Sequence, residues 1–181
     1  MDGLRPHTGM TTDRRAVYVQ RLALATQVAV VVVLTVAGGL LLRETDRRLK
    51  LLPRFAECFL DGRDAERIQH TVQEMVSQRV YALALGYEDL NDHDQLRQDP
   101  VLKLLAGKQD LEQALAGKST LNRLELSAGI PDRYKKVTFW KQAIDELLVN
   151  VFLEAHAQAP EEIVLDIDTT DVALHGKQEG H

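Results

Sequence analysis

Asp166 and Asp168 stand one residue apart and are followed by Thr169 and Thr170. On a β-strand, alternate side chains project to one face, so these two carboxylates would stand side by side. Paired carboxylates with neighbouring hydroxyls are oxygen ligands suited to a hard cation such as Mg2+. Two such ions can activate an attacking oxygen and stabilise a leaving one in phosphodiester chemistry. A solvent-facing acidic edge strand has the same spacing, because charges on strand edges also block unwanted pairing. His175 lies close enough in sequence to join such a site, but a lone histidine beside Gly176 reads as a loop residue.

Two other stretches imitate sites and fail on spacing. Gly117-Lys118-Ser119-Thr120 ends like a phosphate-binding loop, yet the glycine required five residues earlier is Glu112 and no apolar strand precedes it. ATP binding is therefore excluded, and Ser119 or Thr120 is expected to cap a helix over residues 121–126. The polar cluster from Tyr87 to Asp94 lacks the sixth-position glycine and distal glutamate of a calcium loop. Helix caps and solvated side chains account for it. Leu-Ala-Gly-Lys occurs at 105–108 and again at 115–118, too closely spaced for a solenoid repeat.

The chain has 181 residues, with 22 Lys plus Arg against 27 Asp plus Glu, a net charge of −5. A uniformly basic nucleic-acid coat is excluded, and any attraction to phosphate must come from local clusters. Two clusters qualify. Arg43, Arg47, Lys50 and Arg54 recur at helical steps, with Arg48 beside them, and Arg133, Lys135, Lys136 and Lys141 follow later. A solvated helix face is the commoner explanation of the first cluster, and explains the second as well as phosphate contact does. The single cysteine, Cys58, excludes an internal disulfide framework and a multi-cysteine zinc site.

The elements that must position these residues are mainly helical. Residues 64–87 form a helix capped by Asp64, with Ile68, Val72, Met75, Val76, Val80 and Leu83 as its apolar stripe and Gly86 at its end. Pro131 is suited to the first turn of a long helix reaching His156, with Val137, Trp140, Ile144, Leu147, Leu148, Val151 and Ala155 buried. After Pro160 the period changes, and Ile163-Val164-Leu165-Asp166-Ile167-Asp168 reads as a strand with no partner, as in a truncated chain. The N-terminal fifth differs. Residues 22–42 carry no charge, long enough for a membrane span with arginines on the cytoplasmic side. The soluble alternative is a buried strand over residues 28–33, a turn at Thr35 and Gly38-Gly39, and a helix from Leu40.

Four segments carry a resemblance. They are Gly38-Gly39-Leu40-Leu41-Leu42-Arg43-Glu44-Thr45-Asp46-Arg47-Arg48-Leu49, the stretch Gln78-Arg79-Val80-Tyr81-Ala82-Leu83-Ala84-Leu85-Gly86-Tyr87-Glu88-Asp89-Leu90-Asn91-Asp92-His93-Asp94, then Gly117-Lys118-Ser119-Thr120-Leu121-Asn122-Arg123-Leu124-Glu125, and finally Ile163 to Asp171 with Leu174-His175-Gly176-Lys177-Gln178-Glu179-Gly180. Together they resemble bacterial insertion-sequence transposases of the DDE type, nearest to the group numbered thirteen-eighty, over about residues 38–181.

The resemblance implies a mainly α N-terminal region followed by the first strand of an incomplete ribonuclease H-like α/β domain. Three parts follow: an atypical apolar segment at 1–37, a helical, DNA-binding region at 38–158, and the start of the catalytic domain at 159–181. Asp168, before Thr169-Thr170, matches the first acid of the DDE triad and would bridge two Mg2+ ions; Asp166 and Asp171 are the alternatives. Arg43, Arg47, Arg48, Lys135 and Lys136 would contact DNA at the element ends. The implied location is cytoplasmic, with no membrane and with room for a homodimer. The family continues past this point, so the other two acids are missing and the chain is expected to be inactive alone. Residues 1–27 depart from the family, as a damaged frame or misplaced start would produce. A membrane-anchored helical interaction protein, with residues 22–42 as its span, is the competing reading.

Overall fold

The computed structural model describes residues 14–126 and 133–165. Seven helices and a two-stranded sheet make up the regular structure among them. The helices are α1 (Arg14–Leu49), α2 (Leu51–Glu57), α3 (Val72–Ala84), α4 (His93–Leu96), α5 (Pro100–Leu105), α6 (Lys118–Glu125) and α7 (Lys141–Glu154). The strands are β1 (Phe59–Asp61) and β2 (Val137–Phe139). The expected predominance of helix holds.

The N-terminal strand and turn do not form, because α1 runs through residues 28–42 without a break. Runs of valine favour strands only weakly, and the two strands among the described residues, β1 and β2, pair with each other. Thr26 and Thr35 close their hydroxyls on the carbonyls of Leu22 and Val31, so neither polar side chain interrupts the helix. Ala16–Leu49 is long and apolar enough to cross a membrane, and most of it is exposed. Its tether to the core is Gly39, which is buried on α5; a Cβ there would lie 2.9 Å from Leu105 Cδ1. Gly38 has nothing within 4 Å of such a Cβ.

Lys50 ends α1 in the left-handed conformation, with φ of 54°. Asp46 Oδ1 then accepts from Leu52 N at 2.8 Å, capping α2 in place of a side chain at position 50. This break splits the basic periodicity between two helices. Arg47 and Arg48 share Glu44, while Arg54 makes a two-point ion pair with Glu154 of α7.

The core gathers on α3. Met75, Val76, Tyr81 and Ala82 are buried there against Leu52, Leu102, Leu105, Leu115, Leu121 and Leu124. The helix starts later than Asp64: Thr71 is its cap, with Oγ1 accepting from Glu74 N, and Asp64 instead caps a single 3-10 turn at Ala65–Arg67. Leu83 is exposed, so the buried stripe is Val72, Met75, Val76 and Tyr81 with Ala82. Gly86 follows with φ of 91°, the conformation a helix C-terminus favours in glycine. Glu74 binds Lys108 Nζ at 2.9 Å and His70 Nδ1 at 2.8 Å, tying α3 to the turn after α5.

The long helix expected from Pro131 to His156 is shorter. Pro131 lies outside the described residues. Val137, Thr138 and Phe139 form β2, antiparallel to β1 with Phe59 opposite Phe139 and Asp61 opposite Val137. Gly62 N donates to Lys136 O and Trp140 N to Cys58 O, which extends the ladder at both ends. β-branched and aromatic residues favour this pairing, and Val137 and Thr138 are buried by it. On α7, Leu147 is buried, Ile144 and Val151 are half-buried and Leu148 is exposed, as is Trp140 just before the helix. Residues 163–165 form no strand and are exposed.

Candidate functional site

The expected catalytic and metal residue, Asp168, lies outside the described residues, as do Asp166, Asp171 and His175. Among the described residues no group of three or more His, Cys, Asp or Glu is gathered closely enough to hold a metal ion. The structure instead brings together two of the segments singled out in sequence, 78–94 and 117–125, at one place.

Gln78 and Arg79, adjacent on α3, build that place. The Gln78 side chain is fully buried. Its Oε1 accepts from Ala116 N at 3.0 Å and its Nε2 donates to Ala116 O at 2.8 Å. The second Nε2 hydrogen meets His93 Nδ1 at 3.0 Å. Gln78 therefore assigns the His93 tautomer: Nδ1 accepts and Nε2 carries the proton. That Nε2 is buried without a partner among the described residues. Burial first, and the Arg79 charge second, push the His93 imidazole below its usual range.

Arg79 pairs with Glu125 at the far end of α6. Its other guanidinium nitrogens donate to Tyr87 O at 3.1 Å and Glu88 O at 2.6 Å. The near end of α6 is held by Lys118, whose Nζ lies 3.2 Å from Asp94 Oδ2 and 3.3 Å from Asn91 Oδ1. The Lys118 hydrogen bond holds the Asp94 carboxyl below its usual range. Gly117 is the helix cap, with no side-chain hydrogen bond, so Ser119 and Thr120 are not caps. A Cβ at Gly117 would sit 3.4 Å from Asp94 Oδ1 and 3.5 Å from Arg97 Nη1, which is ordinary contact.

Helix α6 is thus fixed at both ends and exposed between them. Leu121 and Leu124 are buried; Ser119, Asn122 and Arg123 are exposed. Positions i, i+3 and i+4 share one helix face. That face borders a groove of about 1080 Å³, lined also by Arg79, Asn91 and Lys118 and by the carboxylates Glu88, Asp89 and Glu125. On its other side Arg123 lines a second hollow of about 260 Å³, with Arg63, Arg133, Lys136 and Thr120. No Asp or Glu lines that second hollow among the described residues. Arg63 is already committed to Asp61, at 2.7 Å through two nitrogens. Arg133 stacks over the Tyr134 ring at 5.6 Å.

The five basic residues singled out in sequence separate. Lys136 lines the second hollow, and Lys135 precedes it in the chain. Arg47 and Arg48, on α1, share one carboxylate, and Arg43 is half-buried on the same helix. Sequence reading missed Gln78, Arg79, Asn122 and Arg123 as parts of one site. The available signal was Gln78, a polar residue at a helical step from Met75 and Ala82 in an otherwise apolar stripe.

The profile of the family described as "Transposase DDE domain group 1" matches residues 32–181. No curated protein and no solved structure matches the chain.

Proposed function

Since the chain belongs to the family of transposase DDE domain group 1, we propose that it is a DNA-contacting portion of an insertion-sequence transposase of the thirteen-eighty group. The observation that carries this reading is the family match, which includes both segments that meet at α6. Transposases act on DNA, and DDE transposases generally use divalent metal ions.

In this reading residues 159–181 begin a ribonuclease H-like catalytic domain, and Asp168 is the first acid of its triad, with Asp166 and Asp171 as alternatives. Asp168 would be the residue that holds Mg2+. The bound metal would supply charge stabilisation at a phosphodiester. This chain's own described residues bind and orient: α3 holds α6 through Gln78 and Arg79, Lys136 shares a hollow with it, and Lys135 precedes Lys136 in the chain. The resemblance assigns one triad acid to this sequence, so cleavage and strand transfer by the chain alone are not expected. The DNA ends of the element are the proposed partner, with a second copy of the chain to span both ends and a cytoplasmic location.

The membrane-anchored reading is weaker. The family match starts at residue 32, so it includes the C-terminal part of the apolar run, and Gly39 within it packs on Leu105. A mobility-shift titration tests the proposal, using a duplex from the element end and a scrambled duplex of equal length. Retardation of the element end at lower protein concentration supports it, and no retardation of either duplex overturns it.

A further inference from the structure

We propose that duplex DNA docks on the outer face of α6, with Arg123, Arg133 and Lys136 taking phosphates of its backbone. This deepens the DNA-binding reading and rests on it.

Three observations carry the assignment. The first is charge. Arg123, Arg133 and Lys136 line one hollow whose described lining contains no carboxylate, in a chain whose net charge is −5. Like charges gathered without acids between them repel one another, and a polyanion relieves that repulsion. Among the described residues, Asp61 is the one acid that ion-pairs with a cation of that hollow, and its partner is Arg63; Arg123 also borders the neighbouring groove, where Glu125 is taken up by Arg79 and Glu88 and Asp89 lie across from α6.

The second is the shape of the surface. α6 presents Ser119, Asn122 and Arg123 on one exposed face. A helix fits the major groove of B-form DNA, and these side chains are hydrogen-bonding types used there. None of these three side chains makes a hydrogen bond to another described residue; the side chains that do, Lys118 and Glu125, stand at the two ends of the helix.

The third is rigidity. A surface that must match a duplex gains from being held in place before binding. α6 is anchored at three points: at Ala116, just before it, by Gln78, at Lys118 by Asp94, and at Glu125 by Arg79. The other basic candidate lacks these features. Arg47 and Arg48 spend their charge on Glu44 and sit on exposed α1.

The test is a fluorescence-anisotropy titration of a fluorescein-labelled mixed-sequence duplex across a salt series, using the full chain. The wild type is compared with Arg123→Gln/Arg133→Gln/Lys136→Gln and with Arg47→Gln/Arg48→Gln. Each phosphate contact contributes about 0.9 to the log–log salt slope, so the triple variant should be flatter by about 2–3 and the α1 variant unchanged. If the triple variant loses its cooperative thermal transition, Arg123→Gln/Lys136→Gln takes its place, with a flattening of about 2 expected. Binding by the wild type with equal slopes in the α6 variants overturns this surface and leaves the DNA-binding reading standing. A flattened slope in the α1 variant alone moves the contact to α1. No binding by the wild type at low salt overturns both.

Discussion

Gln78 and Ala116 lie 38 residues apart and are joined by two hydrogen bonds, amide to carbonyl and amide to carboxamide, at 2.8 and 3.0 Å. Both residues are fully buried. A side-chain amide here completes the backbone of another segment as a neighbouring strand would. It fixes the chain one residue before Gly117, the cap of α6. The position of the outer face of α6 therefore depends on a residue of α3.

Replacing Gln78 by Leu should cost about 2–4 kcal/mol, because the Ala116 N–H and C=O would both be buried without partners. Thermal denaturation followed by far-UV circular dichroism measures it. A midpoint unchanged from the wild type would mean that the clamp contributes nothing to the fold.

The adjacent glycines of α1 should respond in opposite directions. Gly38→Ala meets open space and should stabilise the helix by about 0.5–1 kcal/mol. Gly39→Leu would press into Leu105 and should destabilise by about 1–3 kcal/mol. Adding Leu105→Ala to Gly39→Leu should recover part of that loss. Urea denaturation of the four proteins decides, and equal effects at positions 38 and 39 would remove the α1–α5 contact from the fold.

Stability should fall with acid in two stages. His93 is held neutral by burial, its folded pKa below the ordinary 6.5, so the unfolded chain takes up that proton first. Its contribution is complete above 6.5 and is lost as the pH falls below that value. Burial raises the Glu74 carboxyl, but hydrogen bonds from His70 and Lys108 and their charges outweigh it, leaving the pKa below the ordinary 4.5. Its contribution is complete above 4.5 and is lost as the pH falls through the folded value. His93→Gln should flatten the upper stage and Glu74→Gln the lower one, in melting midpoints collected from neutral pH downward. Stability rising towards acid would contradict both assignments.

Purified chain with Mg2+ should not nick an element-end duplex. Two-metal chemistry needs carboxylates converging on both ions, and the resemblance assigns one acid, Asp168, to this sequence. Mg2+-dependent nicking that disappears in Asp168→Ala would show the chain to be a complete nuclease.

Much of this was legible in the residues. The DDE transposase kinship, the helical majority and the end of α3 at Gly86 followed from motifs and periodicity. Element starts were less so: Asp64 and Thr71 are both good caps, and only the second begins α3. β2 was read as helix because Val137 and Trp140 also fit a helical step, and a three-residue strand is too short to show alternation. Its partner, β1, lies far back in the sequence, where no local signal points to it. The same holds for the α6 site. Gly117-Lys118-Ser119-Thr120 reads as a phosphate-loop imitation, and nothing local in the sequence shows that Gln78, Arg79 and Asp94 hold the helix that follows.

Amide hydrogen exchange with and without duplex DNA tests the central claim most directly, because it reports where on the full chain DNA sits. Slower exchange on DNA addition is expected across α6 and across β2 with the residues just before it, while α1 remains unchanged. Exchange that slows along α1 and not at α6 would contradict the account, as would a profile that DNA leaves unaltered.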